Sequence, residues 1–380
     1  METKNKKFLI KNCNIVLEKG IINNGCILVS DGIIENFGVE SEIKTPLNYD
    51  IIDANGDFVG PGFVDIHVHM GNGYSTYNNV VEASEYFLKH GTTTMLSTPE
   101  YALTFENMLG AIKNVKNNIK NTKNVKGLYM EGPYLNPKYG AGAQDNPWKN
   151  GIVESEYKAL VDEAGELVKV WTIAPELENI LEFIKYARKV NPNVKFAIGH
   201  SEASYNDMVK VEEYVSIQTH AFNATGKKPE EKGVVGYGPD EYCMQNDNIV
   251  CEMISDYEGA HLKSEIQKFL VKIKGVDKLI LITDCYDYGD GDGVSDINRN
   301  KYGELAGSRL TMEKACKNII HHTGVSMIDA FNMASRNPAR VIGLIDKIGT
   351  IEKGKVADLV IVDNDFNVKT VISNGEAIGE

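Results

Sequence analysis

Phe63-Val-Asp-Ile-His67-Val-His69-Met70 follows the turn dipeptide Pro61-Gly62 and is apolar apart from one acid and two histidines. Its length and composition read as a short buried β-strand. Residues two apart in a strand point to the same side, so His67 and His69 project together. Two adjacent neutral imidazoles are half of a divalent-metal site. A His-x-His pair also arises by chance near strand ends, so the reading depends on whether the rest of the chain supplies the missing ligands.

Downstream, apolar strand-like runs recur with helical stretches between them. With Phe63–Met70 they number eight: Thr92–Thr98, Val125–Glu131, Val170–Ala174, Lys195–His200, Val215–His220, Ile249–Ser255 and Lys278–Asp284. The helical pattern appears in Val81–His90, Phe105–Asn118, Ser155–Glu166, Glu176–Val190, Tyr205–Glu213 and His261–Ile273. Met312–His322 and Met327–Ser335 follow the last run. Eight strands alternating with helices predict an α/β fold, a (β/α)8 TIM barrel. Both chain ends read differently. They carry short β-branched runs and turn signals such as Asp31-Gly32 and Asn374-Gly375. Neither end has enough strands to bury a face alone, so the two are expected to meet in one small β-sandwich. The expected domains are residues 1–58 and 343–380 for the sandwich and 59–342 for the catalytic barrel.

In such a barrel the chemistry sits at the C-terminal ends of the strands. There the runs end in His67 and His69, Glu131, His200, His220 and Asp284, and four of the chain's eight histidines fall at these ends. Histidine and carboxylate ligands without thiolate suit a hydrolytic divalent metal: zinc first, iron or manganese otherwise. Asp284 is then the expected proton shuttle. An amine leaves poorly until protonated, so one carboxylate takes a proton from the attacking water and returns it to the departing nitrogen. His90, His321 and His322 stand at predicted helix ends, where histidine satisfies carbonyls and complements the helix dipole. His261, six residues after strand seven, is within reach of the pocket mouth.

Composition narrows the partners. The net charge of −13 disfavours a nucleic-acid backbone, and no apolar run is long enough to span a membrane. Six scattered cysteines without a Cys-x-x-Cys pair fit reduced thiols and a cytoplasmic protein. The Asp-rich stretch Asp287–Asp296 lacks EF-hand spacing and reads as a lid or surface loop.

Several segments match a known group in order and spacing. They are Pro61-Gly-Phe-Val-Asp-Ile-His-Val-His69, Glu131-Gly-Pro-Tyr-Leu-Asn-Pro-Lys138, Gly140-Ala-Gly-Ala-Gln144, Gly199-His-Ser201, His220-Ala-Phe-Asn-Ala224, Gly233-Val-Val-Gly236 and Thr283-Asp284. Leu305-Ala-Gly-Ser308, Met333-Ala-Ser-Arg-Asn-Pro-Ala-Arg340 and Gly354-Lys-Val-Ala-Asp-Leu-Val360 continue the match. The chain resembles the amidohydrolase superfamily and, within it, the N-acetylglucosamine-6-phosphate deacetylases. The resemblance implies a main metal on Glu131, His200 and His220, and a second on His67 and His69 with Glu131 bridging, so one or two metals per subunit. It implies Asp284 as catalytic acid/base. It also implies sugar-phosphate contacts at Ala143, Asn223, Ala224, Leu305, Ala306 and Gly307, a substrate-binding role for His261, and a homodimer.

Two departures stand out. Gln144 occupies a position where many members carry a histidine near the substrate carbonyl. Lys227, Lys228 and Lys232 stand in the loop where the family places a phosphate-gripping arginine, and arginine is the better bidentate phosphate ligand. Two other readings remain at this stage. One is a different amidohydrolase acting on another N-acyl compound. The other is a non-catalytic barrel, which should have lost ligands that this chain retains.

Overall fold

The computed structural model describes residues 7–44, 46–227, 234, 236–291 and 294–379. Its centre is a parallel sheet of eight strands, paired in chain order. They are β1 Phe63–Val68, β2 Thr92–Ser97, β3 Val125–Met130, β4 Val168–Ile173, β5 Lys195–Ile198, β6 Val215–Gln218, β7 Val250–Ile254 and β8 Leu279–Ile282. Strands covered on both faces read as continuous apolar runs, which is why β1, β2 and β8 are buried at every position. Beyond the strand ends, β8 closes on β1. The Asp284 N–H donates to the His67 carbonyl at 2.9 Å, and the His69 and Met70 N–H groups both donate to the Cys285 carbonyl. Asp65 braces the seam from inside by accepting the Thr283 hydroxyl.

The eight barrel runs predicted from the sequence are the eight strands observed, but the regular pairing stops earlier than the apolar runs do. His200, His220 and Asp284 each lie two residues past the end of β5, β6 and β8. Their φ angles are +46°, +25° and +46°, in the left-handed region that takes the chain out of a strand. These are costly conformations for non-glycine residues, and strain of this kind concentrates at functional sites.

Helices cover the outside through apolar stripes. In Ile180–Val190 the buried residues are Ile180, Phe183, Ile184 and Ala187, a spacing of three and four. Ser204 and Asp207 form a capping box at the start of Tyr205–Val211. The pattern Met327–Ser335 is a helix, Met327–Phe331, continued by a π-turn over Asn332–Arg336. A further helix, Pro239–Gln245, had no reading in the sequence. It is only seven residues long, too short for a periodic signal, and starts at a proline.

Strands from both chain ends form a separate eight-stranded sheet. Its hydrogen-bonded path runs Glu376–Ile378, Val368–Ser373, Leu359–Val362, Phe58–Pro61, Lys7–Leu17, Gly20–Ser30, Ile33–Val39, with Asp50–Asp53 paired beside Lys7–Leu17. Period-two alternation divides its side chains. Leu359 and Ile361 join the end sheet's own core with Ile10, Ile15 and Ile27, while Val360 and Val362 face the barrel core.

Candidate active site

Five of the six residues at the predicted strand ends line one cavity of about 140 Å³: His69, Glu131, His200, His220 and Asp284. His67 lies behind them with no exposed surface. Glu131 is the hub. Its Oε1 is 2.8 Å from His200 Nε2 and 3.1 Å from His220 Nε2, and those two nitrogens are 3.1 Å apart. Its Oε2 is 3.4 Å from His69 Nε2. His67 Nε2 is 3.7 Å from Glu131 Oε1 and 3.6 Å from Asp284 Oδ1, while His69 Nε2 is 3.1 Å from the same Asp284 oxygen.

Among the described residues, two groups have ligand atoms close enough to hold a metal: His67, His69 and Glu131; and Glu131, His200 and His220. The second forms a triangle with sides of 2.8, 3.1 and 3.1 Å, somewhat shorter than the ~3.3 Å edge of a tetrahedron with metal–nitrogen bonds of about 2.0 Å. In the first, His67 Nε2 is a buried nitrogen with no hydrogen-bond partner, which a cation would satisfy. The outer nitrogens are held in place: His69 Nδ1 meets the Thr98 carbonyl at 3.0 Å, His200 Nδ1 that of Tyr139 at 3.3 Å, and His220 Nδ1 that of Asn223 at 3.2 Å. A carbonyl fixes the proton on Nδ1 and leaves Nε2 free to bind metal. Both groups therefore fit a divalent cation.

The electrostatics point the same way. Burial works against a charged His69, yet the Asp284 hydrogen bond and the charges of Glu131 and Asp284 lift its pKa to about 9. His220 follows the same pattern: burial opposes the charge, and the Glu131 hydrogen bond and charge raise the pKa to about 9. Burial alone would raise Glu131, but His200 and His220 hold its carboxyl well below the usual range. Two buried carboxylates here demand positive charge, from protons or from metal.

The loops above the strands complete the cavity. Asn223, Ala224, Leu305, Ala306 and Gly307 line it, as do Tyr101, Tyr286 and Gly140. Gly140 passes over His200 with φ +104°, and a Cβ there would sit 2.7 Å from His200 Nδ1 and 2.5 Å from the Tyr101 hydroxyl. Only glycine fits. The Gly142 N–H donates to Glu304 at 2.8 Å, and Asp145 accepts the Tyr302 hydroxyl at 2.9 Å, latching this loop to the hairpin opposite, formed by the antiparallel strands Ile297–Arg299 and Leu305–Ser308.

Other residues singled out in the sequence lie elsewhere. Ala143 and Gln144 sit in the turn Ala143–Asp145, outside the cavity lining, and Gln144 is exposed. The left-handed turn at Gly142 carries them outward while Gly140 and Ala141 take the inner position. His261 is buried behind the lining, with Nδ1 3.0 Å from Asp256 and Nε2 3.0 Å from the Gly307 carbonyl, so it supports the loop that carries Gly307 from beneath. Lys227 is paired with Glu241. Lys228 and Lys232 lie outside the described residues, as does Gly233. In the Asp-rich stretch, Asp296 turns inward to the Tyr257 N–H and Asn318, and Asp290 pairs with Arg309 at 2.8 Å. Asp287 lies 3.8 Å from the same Arg309, so the outer pair and the inward Asp296 face different partners. His90 caps its helix and pairs with Glu313.

Sequence reasoning missed Glu252, which touches both His67 and the His220 backbone. A lone carboxylate inside the apolar run Val250–Ile254 was its signal. Tyr101 and Tyr286 were also missed, since loop aromatics carry no periodic pattern.

The amidohydrolase family's sequence profile matches residues 58–378. The chain belongs to the amidohydrolase family. As an amidohydrolase it is a metal-dependent hydrolase acting on an amide, and the two His/Glu groups are where metal can bind. Among its relatives is the N-acetylglucosamine-6-phosphate deacetylase of Bacillus subtilis, 31% identical over 401 aligned positions that cover 97% of this amidohydrolase and 96% of the relative. The N-acetylgalactosamine-6-phosphate deacetylase of Escherichia coli O157:H7 is 25% identical, covering 95% and 97%. The crystal structure of the N-acetylglucosamine-6-phosphate deacetylase from Pasteurella multocida superposes with a TM-score of 0.85 at 25% identity, over 98% of this chain and 100% of that one. No helix among the described residues is long and apolar enough to cross a membrane.

Proposed function

We propose that this amidohydrolase removes the acetyl group of N-acetylglucosamine 6-phosphate, releasing acetate and glucosamine 6-phosphate. The observation that carries the reading is Glu131 shared between two histidine pairs, with Asp284 3.1 Å from His69 at the floor of an open cavity. The names of its full-length relatives support the substrate. A divalent cation held by Glu131, His200 and His220, and a second by His67, His69 and Glu131, would polarise an amide carbonyl and acidify water.

The chain's own residues do the rest. The Asp284 carboxylate takes the proton of the attacking water and delivers it to the departing nitrogen. Asn223, Ala224 and the stretch Leu305 to Gly307 hold the sugar, which sets the acetamide above Glu131. Tyr101 and Tyr286 wall the cavity beside the reacting amide. Ala143, Gln144 and His261 take no direct part in this scheme. The same reading takes zinc as the metal, with iron or manganese as alternatives, a homodimer as the assembly and the cytoplasm as the location. It keeps residues 59–342 as the catalytic domain. Elemental analysis and light scattering test metal and assembly.

A substrate panel tests the activity: N-acetylglucosamine 6-phosphate, its galacto epimer, unphosphorylated N-acetylglucosamine and an N-acetyl amino acid, compared by kcat/KM for acetate release. The phosphorylated gluco sugar is expected to lead. A lead by the N-acetyl amino acid would defeat the reading, and a lead by the unphosphorylated sugar would remove the phosphate from it.

A further inference from the structure

Glu252 sits in the middle of β7 with no exposed surface, and it does not line the cavity. Its Oε2 lies 3.3 Å from His67 Nδ1 and 3.2 Å from the His220 backbone nitrogen. Its Oε1 is buried without a partner. A carboxylate at this depth is expensive unless it meets donors. The donors it meets belong to the two metal-holding groups, one residue from each.

The consequences follow from tautomer chemistry. The Glu252 oxygen that accepts the His220 N–H also faces His67 Nδ1 as an acceptor, so the His67 proton sits on Nδ1 and the Nε2 lone pair points at Glu131 and Asp284. The other three histidines of the site have backbone carbonyls at Nδ1. Of the four, only His67 has a side-chain carboxylate there, and a carboxylate makes an imidazole a better donor to a metal than a carbonyl does. Tyr129 stacks on the other face of the His67 ring at 4.6 Å, so orientation as well as tautomer is fixed. The same Oε2 holds the His220 N–H where φ is +25°, the turn that brings His220 Nε2 to within 3.1 Å of Glu131.

From this geometry we infer that Glu252 is a positioning residue for the two-metal centre. It sets His67 as a strong ligand, so that the His67–His69–Glu131 group fills, and it ties that group to the turn carrying His220. Glu252 does not touch the substrate. This assignment rests on the reading that both groups bind metal.

The test is a zinc titration against a competing chelator, without substrate, on purified metal-stripped protein and its Glu252→Gln variant. The wild type is expected to take up two equivalents. In Glu252→Gln the weaker equivalent should lose ~10–100-fold in affinity, the range for removing an outer-shell partner. The stronger equivalent should shift less. If Glu252→Gln does not fold, the titration on Glu252→Asp decides. That variant draws the carboxylate back by one methylene, so a weakened second equivalent supports the assignment and an unchanged one overturns it. A purely structural Glu252 would lower the melting temperature of metal-free protein and leave both isotherms alone, which also overturns it. A wild type that binds only one equivalent ends the proposal while leaving deacetylation at Glu131, His200 and His220 standing.

Discussion

Asp284→Asn isolates proton transfer from everything else Asp284 does. The residue has a φ of +46°, and its carbonyl accepts the Ser308 N–H at 2.8 Å. Asparagine is among the few residues that tolerate the left-handed region, whereas alanine there would add backbone strain to any chemical effect. Asparagine also keeps the side-chain volume, so the hairpin carrying Leu305 to Gly307 should not move. What is lost is a negative charge and a proton acceptor. Burial pushes the Asp284 pKa up, but the hydrogen bond from His69 and the charges of His67 and His69 bring it below the usual value, so the group is an anion at neutral pH and poised to accept.

General acid–base catalysis contributes about 10²–10⁴-fold. In the proposed scheme one carboxylate serves two proton transfers in each turnover, so the upper half of that range applies. The expected fall in kcat is about 10³–10⁴-fold, or ~4–5.5 kcal/mol. KM should change little, because Asp284 makes none of the sugar contacts proposed. The lost charge also weakens attraction for a divalent cation, worth up to about 8 kcal/mol at ~4 Å in a medium of effective dielectric near 20. Turnover is therefore measured by acetate release at saturating zinc, with bound metal counted in the same sample. Wild-type metal content with turnover within tenfold of wild type would refute the assigned role of Asp284.

Two further predictions follow from other parts of the molecule. His67→Gln and His69→Gln should each cost one metal equivalent by elemental analysis while Glu131, His200 and His220 keep theirs; retention of both equivalents in either variant would mean that the His-x-His pair is not a ligand pair. Asp358, buried beside the Asn374 N–H, has its pKa raised by burial from 3.8 to about 6. The folded state thus holds this proton to higher pH than the unfolded chain. Its favourable contribution is complete below about pH 4 and lost as pH rises to about 6. Asp358→Asn keeps the acceptor and removes the titration. Denaturant unfolding should show the wild type losing ~3 kcal/mol relative to the variant between about pH 4 and pH 6; a difference independent of pH would contradict the shift.

The barrel and the candidate metal-binding residues were legible in the sequence for the same physical reason. Strands enclosed on both faces must be apolar, so a histidine or carboxylate that ends such a run stands out, and His69, Glu131, His200, His220 and Asp284 all do. Glu252 has the same chemistry but sits in mid-run, where an apolar pattern hides a single exception. The loops were less legible because contacts remote in sequence decide where they lie. Gly140 and Gln144 are four residues apart, yet one covers His200 and the other is exposed, because Gly142 turns the chain and Glu304 anchors it from 162 residues away. His261 follows β7 as expected, but the left-handed turn at Gly259 folds it back onto Asp256 and under Gly307. In the proposed function, catalytic chemistry resides in strand ends that a one-dimensional pattern exposes. The same reading places substrate selection in loops held by latches that no such pattern contains. The reaction class of such a barrel is therefore readable from sequence at longer range than its substrate, and variants at the latches, such as Glu304, should alter which sugar is accepted before they alter the ability to cleave an amide.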